Sequence, residues 1–296
     1  MTLVVRVSNK GLMKSLKQLI RTCLPRTIKP HRIWTGPLKG QKIVTSWHDY
    51  PSAIMGRNER PLLDWLAKVI KPGQTWLDVG SHYGYVALAM SRFVGESGRV
   101  YAFEPMLRTA GYVQQTRQNN ALAQLTIVPF ALANPKAIEV GHLSTSRGMI
   151  DSTIERGDWT EDFYITQLDW LWPQVCQNNL QIDGIKIDVQ GMEIETLKGM
   201  RHLLKTQKPH LIVETHSGVD RQLLLTIIEE AGYDRHSTAI EPASSSHTSA
   251  TLLDNHSYAF FPQQPTESDH AHFNQLDKSL AKEFGVAVAA FDAPLT

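Results

Sequence analysis

The stretch TWLDVGSHYGYVALAM, Thr75 to Met90, decides the fold. A compact apolar segment, TWLDVG, carries the first of two glycines four residues apart, Gly80 and Gly84, and a helix-like run, Tyr85 to Phe93, follows. Glycine in such a turn lets the backbone bend tightly and approach a ligand with no Cβ in the way, and the helix behind it presents free N–H groups and the positive end of its dipole. The same turn also serves plain strand-to-helix packing, so it is a weak signal when taken alone.

Outward from this stretch the alternation continues. RVYAFEP reads as a strand and Leu107 to Leu122 as a helix; QLTIVPFAL reads as a strand in which Pro129 implies a bulge or an edge. GIKIDV and HLIVET are strands separated by a helix from Met192 to Leu204, and SYAFF near Ser257 is a final strand. Strands and helices taking turns at this spacing predict a doubly wound, Rossmann-like α/β sheet with helices on both faces. Ahead of it, HRIWTGPLKGQKIVTSW suggests a small hairpin. Residues 135–181 break the rhythm: DSTIERGDW and FYITQLDWLW look like extra strands or an inserted hairpin followed by a short helix, where a substrate-facing addition fits. The expected division is a basic arm (1–32), the main domain (33–262) with its inserted segment, and a peripheral tail (263–296) with a last helix at Gln275 to Phe284.

Composition limits the function classes. With 296 residues, 42% hydrophobic and 20% charged, the chain can bury one large core. It has no apolar run of membrane-spanning length and no leader-like N-terminus, so the expectation is a cytoplasmic protein. Cys23 and Cys176 fit neither a disulfide framework nor a zinc knuckle. Residues 1–48 hold ten Lys/Arg and no Asp/Glu, leaving the remainder at net −9. Lys10, Lys14, Lys17 and Arg21 share one helical face and Leu12, Leu16, Leu19 and Cys23 another, an amphipathic basic helix. It can pack on the domain, or contact an anionic surface at the inner membrane or an acidic partner; nucleic acid is disfavoured by the acidic body and by the lack of interleaved aromatics.

In an open parallel sheet ligands bind beyond the carboxyl ends of the strands, where the strand order reverses. Glu104 closes the second strand twenty-four residues after Gly80, the place from which a carboxylate accepts hydrogen bonds from both hydroxyls of a ribose. A dinucleotide site reads G-x-G-x-x-G, its middle glycine admitting the pyrophosphate, but this chain reads D-V-G-S-H-Y-G, and Ser81 and His82 obstruct that approach. A donor without phosphates, such as S-adenosylmethionine, needs only the close turn and groups for its amino acid part.

Here the sequence resembles a known family. LDVGSHYGYVAL, VYAFEP, GIKIDVQGMEIETLKGM and PHLIVETH, in this order, are similar to the FkbM-type S-adenosylmethionine-dependent methyltransferases, and GPLKGQKI and GRNE (56–59) extend the likeness over about residues 33–262. The resemblance implies that Asp78, Gly80, Ser81 and Gly84 form the turn holding the methionine part of the cofactor, and that Glu104 is the ribose carboxylate. The adenine is expected over Pro105 and Met106 and near Phe130 and Ala131, where a flat ring needs apolar cover. Two positions depart from the family pattern: His82 replaces the usual asparagine, and Gln190 the usual glutamate.

Methyl transfer from a sulfonium leaves the protein to align the acceptor, exclude water and receive a proton from a hydroxyl. Asp188 and His216 at neighbouring strand ends are the first choices for a base; Lys186, on the same side of its strand as Asp188, and Glu193 and Glu214 complete the catalytic candidates. A buried Lys186–Asp188 pair that only stabilises the strand end is the structural alternative. Asp188, Glu214 and His216 also suit a divalent metal chelating a diol, a less favoured reading, so no metal is assigned. His270 and His272 read as surface residues, and Trp159, Trp170 and Trp172 as a sugar-binding face, although Trp170 and Trp172 equally suit a helix packing on the sheet. The expected activity is O-methylation of a sugar, glycan or glycosylated metabolite. A catalytically silent nucleoside-binding scaffold and an NAD-dependent oxidoreductase are the alternatives.

Overall fold

The computed structural model describes residues 23–145, 159–176, 181–240, 248–249 and 252–263. The basic helix expected over residues 10–23, apart from Cys23, the histidines 270 and 272 and the tail helix 275–284 lie outside them, as does most of DSTIERGDW.

The chain opens with a hairpin, β1 (Lys29–Arg32) paired antiparallel with β2 (Lys42–Thr45). A short helix α1 (Pro51–Ile54) and the amphipathic α2 (Arg60–Val69) lead to β3 (Thr75–Val79), buried along its whole length. Then come α3 (Tyr85–Val94), β4 (Arg99–Phe103), α4 (Leu107–Asn119) and β5 (Leu125–Val128). β3, β4 and β5 lie side by side and parallel. β5 is the edge of the sheet, and Pro129, with no N–H to give, separates it from β6 (Phe130–Leu132), which joins a different sheet.

That second sheet draws two of its three strands from residues 135–181. β8 (Trp159–Thr166) pairs antiparallel with β7 (Glu139–Thr145) and parallel with β6, and α5 (Leu168–Val175) follows it. The chain then returns to the main sheet on the other side of β3: β9 (Gly184–Ile187) pairs parallel with β3, and β10 (His210–Thr215) with β9. The strand order therefore reverses between β3 and β9.

Between β9 and β10 the predicted single helix is two, α6 (Glu193–Lys198) and α7 (Arg201–Gln207). The break falls at Gly199, whose missing Cβ would lie 1.8 Å from the Ala133 carbonyl oxygen. Asp169 at the start of α5 accepts hydrogen bonds from the free His202 and Leu203 N–H groups of α7, the usual way to satisfy a helix start. After α8 (Arg221–Glu230), β13 (His256–Phe260) inserts antiparallel between β10 and the short β11 (Ser237–Ala239), and β12 (Thr248–Ser249) closes that edge.

The sheet separates two apolar layers. Trp76, Val100, Ala102 and Ile212 pack with α2, α3, α4 and the hairpin; Leu77, Val79, Tyr101, Phe103, Ile185, Ile187 and Val213 pack with α5 to α8. Trp172 belongs to this second layer, fully buried and edge-on to Tyr101, so it lines no sugar face, whereas Trp170 is 42% exposed. The hairpin is tied down by Asn120, whose side chain accepts from the Lys42 N–H and donates to its carbonyl, and by Thr116, which accepts from the Val44 N–H.

Candidate active site

The sequence-selected residues other than Gly84 and Glu193 lie at or near strand ends, and most meet where β3 and β9 diverge. The turn after β3 is tied to β4, since the Gly80 and Ser81 N–H groups both donate to the Phe103 carbonyl at 3.0 Å. Gly80 has φ +82°, and a Cβ there would sit 1.8 Å from the Asp188 carbonyl oxygen; a Cβ on Gly84, φ +77°, would sit 2.8 Å from Val113 Cγ1. The protein's own neighbours thus demand both glycines, before any ligand is considered. The polar groups of the turn are better placed for a ligand: the buried Ser81 Oγ has no hydrogen-bond partner among the described residues, and the fully buried Asp78 carboxylate has Lys186 Nζ 3.5 Å from its Oδ1.

Glu104 is buried, its Oε2 accepting from the His82 N–H at 2.8 Å and its Oε1 from the Met106 N–H at 3.1 Å. Burial pushes its carboxyl up to about 8 against the pull of these two donors. Each oxygen keeps a second acceptor site. Met106 is buried and Pro105 half-buried beside it. Phe130 and Ala131 are half-buried in β6, and the Phe130 ring lies 6.0 Å from that of Tyr164 in β8. Glu161 of β8 accepts from the Arg108 N–H, and its charge reaches Glu104, so the inserted sheet borders the Glu104 side of the crevice.

On the other side of the turn is a chain of ionisable groups. Lys186 Nζ donates to Asp188 Oδ2 at 3.1 Å and stands 3.5 Å from Asp78 Oδ1. Burial alone would lower the lysine's pKa, but Asp188 and Asp78 reverse that and hold it above the ordinary range. Burial likewise works to raise Asp188, and Lys186 and His216 overcome it, leaving the carboxyl low. Asp188 is therefore a firmly ionised partner of lysine and a poor proton acceptor.

His216 is different. Its Nδ1 lies 2.6 Å from Oε1 of Glu193, the first residue of α6, and its Nε2 lies 2.9 Å from Gln190 Nε2. Because an amide nitrogen only donates, Nε2 is the acceptor and Nδ1 carries the hydrogen bonded to Glu193. Burial opposes protonation of the ring, but Glu193, Asp188 and Glu214 together raise its pKa. Glu214 Oε1 is 3.7 Å from Nε2, and burial followed by repulsion from Asp188 pushes the Glu214 carboxyl up to about 7.

The sequence reading missed a group that closes the site from the N-terminal side. Tyr50, just before α1, has its ring 5.4 Å from His82 and 6.2 Å from Tyr85. Its hydroxyl accepts from Asn58 Nδ2, which also donates to Glu59 Oε1 at 3.1 Å. Through Asn58 and Tyr50 the GRNE corner is joined to His82 in the turn after β3. The signal was present in GRNE and in the departure at His82, but nothing in their spacing ties them to one another.

Asp188, Glu214 and His216 can bring three ligand atoms within 4.8 Å of one another, a divalent-cation geometry. Yet Lys186 and Gln190 already direct N–H donors at the Asp188 oxygens, and Gln190 also at His216 Nε2, where a cation would have to displace them.

This sheet order and crevice define the Rossmann-like methyltransferase class. The sequence matches the Methyltransferase FkbM domain over residues 78–235, and the chain belongs to that family. It is 27% identical over 188 residues to hexuronic acid methyltransferase AglP of Haloferax volcanii, covering 59% of this chain and 70% of that one. Among solved structures, a methyltransferase FkbM from Methylobacillus flagellatus shares 15% identity over 67% of this chain and 50% of its own, with a TM-score of 0.42. Fibrillarin from Aeropyrum pernix, with natively bound S-adenosyl-L-methionine, shares 13% identity over 80% and 88%, with a TM-score of 0.43. The protein is a methyltransferase whose donor is S-adenosylmethionine; neither a nicotinamide enzyme nor a silent scaffold is favoured. The donor fits the residues present: the Asp78 carboxylate, the free Ser81 Oγ and the spare acceptor sites of Glu104 suit its amino and hydroxyl hydrogens.

Proposed function

We propose that this enzyme methylates a hydroxyl oxygen of a sugar, free or within a glycan or glycosylated metabolite. The observation that carries the reading is the Glu193–His216 pair. A hydroxyl must lose its proton as its oxygen is methylated, and a histidine with one nitrogen fixed by a buried carboxylate presents the other as base in a defined orientation. A carboxylate acceptor would need no base. The hexuronic acid in the relative's name adds support for a carbohydrate acceptor.

S-adenosylmethionine supplies an activated methyl group. Glu104 takes the ribose hydroxyls, Asp78 and Ser81 hold the amino acid part, and Pro105, Met106, Phe130 and Ala131 cover the adenine. His216 Nε2 gives up its hydrogen bond from Gln190 to receive the acceptor proton; Glu193 holds the ring and balances the charge it gains. Lys186 and Asp188 form the floor that orients the hydroxyl. The basic segment 1–32 is proposed to bring the domain to an anionic membrane surface or acidic partner, supported by its lysine face alone.

The test is release of S-adenosylhomocysteine from the purified protein over a panel of glycosides. Turnover on one or more, with the mass gain on oxygen, supports the reading; turnover only on non-sugar amines or acids would refute it.

A further inference from the structure

The three-stranded sheet has two unlike faces. On one, Glu161 accepts from the Arg108 N–H at 3.0 Å, which ties that face to the start of α4, and the Phe163 ring fills the space where a Cβ on Gly141 would stand 2.5 Å from its Cζ. On the other, strand register sets Phe130, Tyr164 and Val140 side by side across β6, β8 and β7, with His142 opposite Asp162 in the next row. Tyr164 is 50% exposed and Val140 53%, and the Phe130 and Tyr164 rings lie 6.0 Å apart. His142 Nδ1 is 2.6 Å from Asp162 Oδ1, and both side chains are open to solvent.

This second face starts at the crevice. Its first strand, β6, follows Val128, whose carbonyl accepts from the Glu104 N–H at 3.2 Å, and ends at Leu132, whose carbonyl accepts from Thr196 Oγ1 at 2.7 Å. Thr196 lies one turn along α6 from Glu193, the partner of His216. β6 therefore runs from the Glu104 side to the helix that orients His216, and Tyr164 and Val140 carry its Phe130 face outward.

An exposed ring and a valine in one row, with a paired imidazole and carboxylate in the next, suit one ligand chemistry. A pyranose has a C–H face that sheds water against an aromatic surface, and hydroxyls at its rim that need donors and acceptors. The strip is too small for a second copy of the chain, since a stable protein interface takes about 20 residues a side.

We propose that Tyr164 and Val140, with His142 and Asp162, form a subsite for a second sugar ring: the acceptor is a glycan whose neighbouring residue stacks on Tyr164 while another is methylated in the crevice. This rests on the sugar-hydroxyl reading above and narrows it to acceptors at least two rings long.

The experiment uses the full chain with saturating S-adenosylmethionine and, in the gluco, galacto and manno series, the methyl hexoside and the methyl glycosides of the matching di- and trisaccharides. S-adenosylhomocysteine release gives kcat/KM, and saturation-transfer NMR on the S-adenosylhomocysteine complex shows which rings touch the protein. In at least one series the longer acceptor is expected to exceed its monosaccharide by about tenfold or more in kcat/KM, chiefly through a lower KM. Tyr164→Ala should remove most of that advantage and the contact with the second ring, with kcat/KM for the monosaccharide nearly unchanged. Tyr164→Trp keeps an aromatic face and should retain the advantage. Circular dichroism and donor titration establish that both variants are folded. No advantage of the longer acceptors in the wild type, or an equal advantage in folded Tyr164→Ala, overturns the subsite while leaving sugar methylation standing. Self-association of the wild type that Tyr164→Ala abolishes would give this face to a second copy and also overturn it. Neither turnover nor binding with any member of the three series overturns the sugar reading and the subsite together.

Discussion

Gly80 and Asp188 occupy each other's space: the Cβ that Gly80 lacks would stand 1.8 Å from the Asp188 carbonyl oxygen. The contact joins the turns after β3 and β9, the two strands between which the sheet order reverses, and the Asp188 N–H donates to the Val79 carbonyl beside it. The crevice is built on this close approach, so its first demand on sequence is steric.

Replacing Gly80 by alanine should therefore damage the fold before it affects any ligand. A left-handed backbone costs an L-residue about 1–2 kcal/mol, and displacing a backbone carbonyl brings the expected loss to about 3 kcal/mol or more. Urea unfolding measures it. A variant with wild-type stability and no donor affinity would show that the ligand, not Asp188, requires the gap.

Glu104 gives a pH dependence with a definite sign. Its folded carboxyl is raised by burial to about 8 from an ordinary 4.5. Between those values the unfolded chain binds fewer protons, so this group's stabilising contribution, complete below 4.5, is lost as pH rises through about 8. Ribose hydroxyls donating to the carboxylate favour its charged form, so donor affinity should rise with pH and level off above about 8. Calorimetric titration from pH 6 to 9 checks this, with Glu104→Gln expected to bind more weakly and without the slope. An equal slope in that variant would assign the proton elsewhere.

The strand-end residues were legible because period-two alternation and strand length place them: Asp78, Glu104, Asp188 and Glu214 all fall where the sheet's carboxyl edge must be, and Lys186 shares a face with Asp188. The Gly199 break was hidden, since the helical pattern from Met192 runs through it and only the Ala133 carbonyl, sixty-six residues earlier, requires the glycine. Tyr50, Asn58 and Glu59 were hidden for a similar reason. Tyr50 meets His82 and is tied through Asn58 to Glu59 by tertiary contacts between irregular segments, and such segments carry no periodicity. The hydrogen bond from Gly191 N–H to Glu193, which helps place the carboxylate under His216, likewise depends on a local turn with Gln190 at φ +53°.

Chelation separates proton transfer from metal chemistry. Lys186 and Gln190 direct donors at Asp188 in place of a cation, so turnover is expected to be unchanged by EDTA and by added Mg²⁺. Loss of activity with chelator and recovery with Mg²⁺ would put an ion at Asp188, Glu214 and His216 and move the amide aside.

The Glu193–His216 pair makes the sharpest demand on kinetics. If His216 Nε2 receives the acceptor proton, His216→Gln should lower kcat by about 10²-fold or more, the range for a general base, with donor affinity nearly unchanged. Because the ring must be neutral to act, kcat/KM for the acceptor should rise with pH through the histidine pKa, which Glu193, Asp188 and Glu214 hold above the ordinary 6.5 against the effect of burial. Glu193→Gln keeps a hydrogen-bond acceptor for Nδ1 but removes a negative charge. That variant should shift the acidic limb of the profile to lower pH and reduce the plateau, since a less basic histidine accepts the proton less readily. Asp188→Asn removes the partner of Lys186 and should cost stability as well as rate, visible as a lowered unfolding midpoint. A profile that stays in place in Glu193→Gln, with His216→Gln still active, would take the proton away from this pair and leave Glu214, with its carboxyl at about 7, as the group to substitute next.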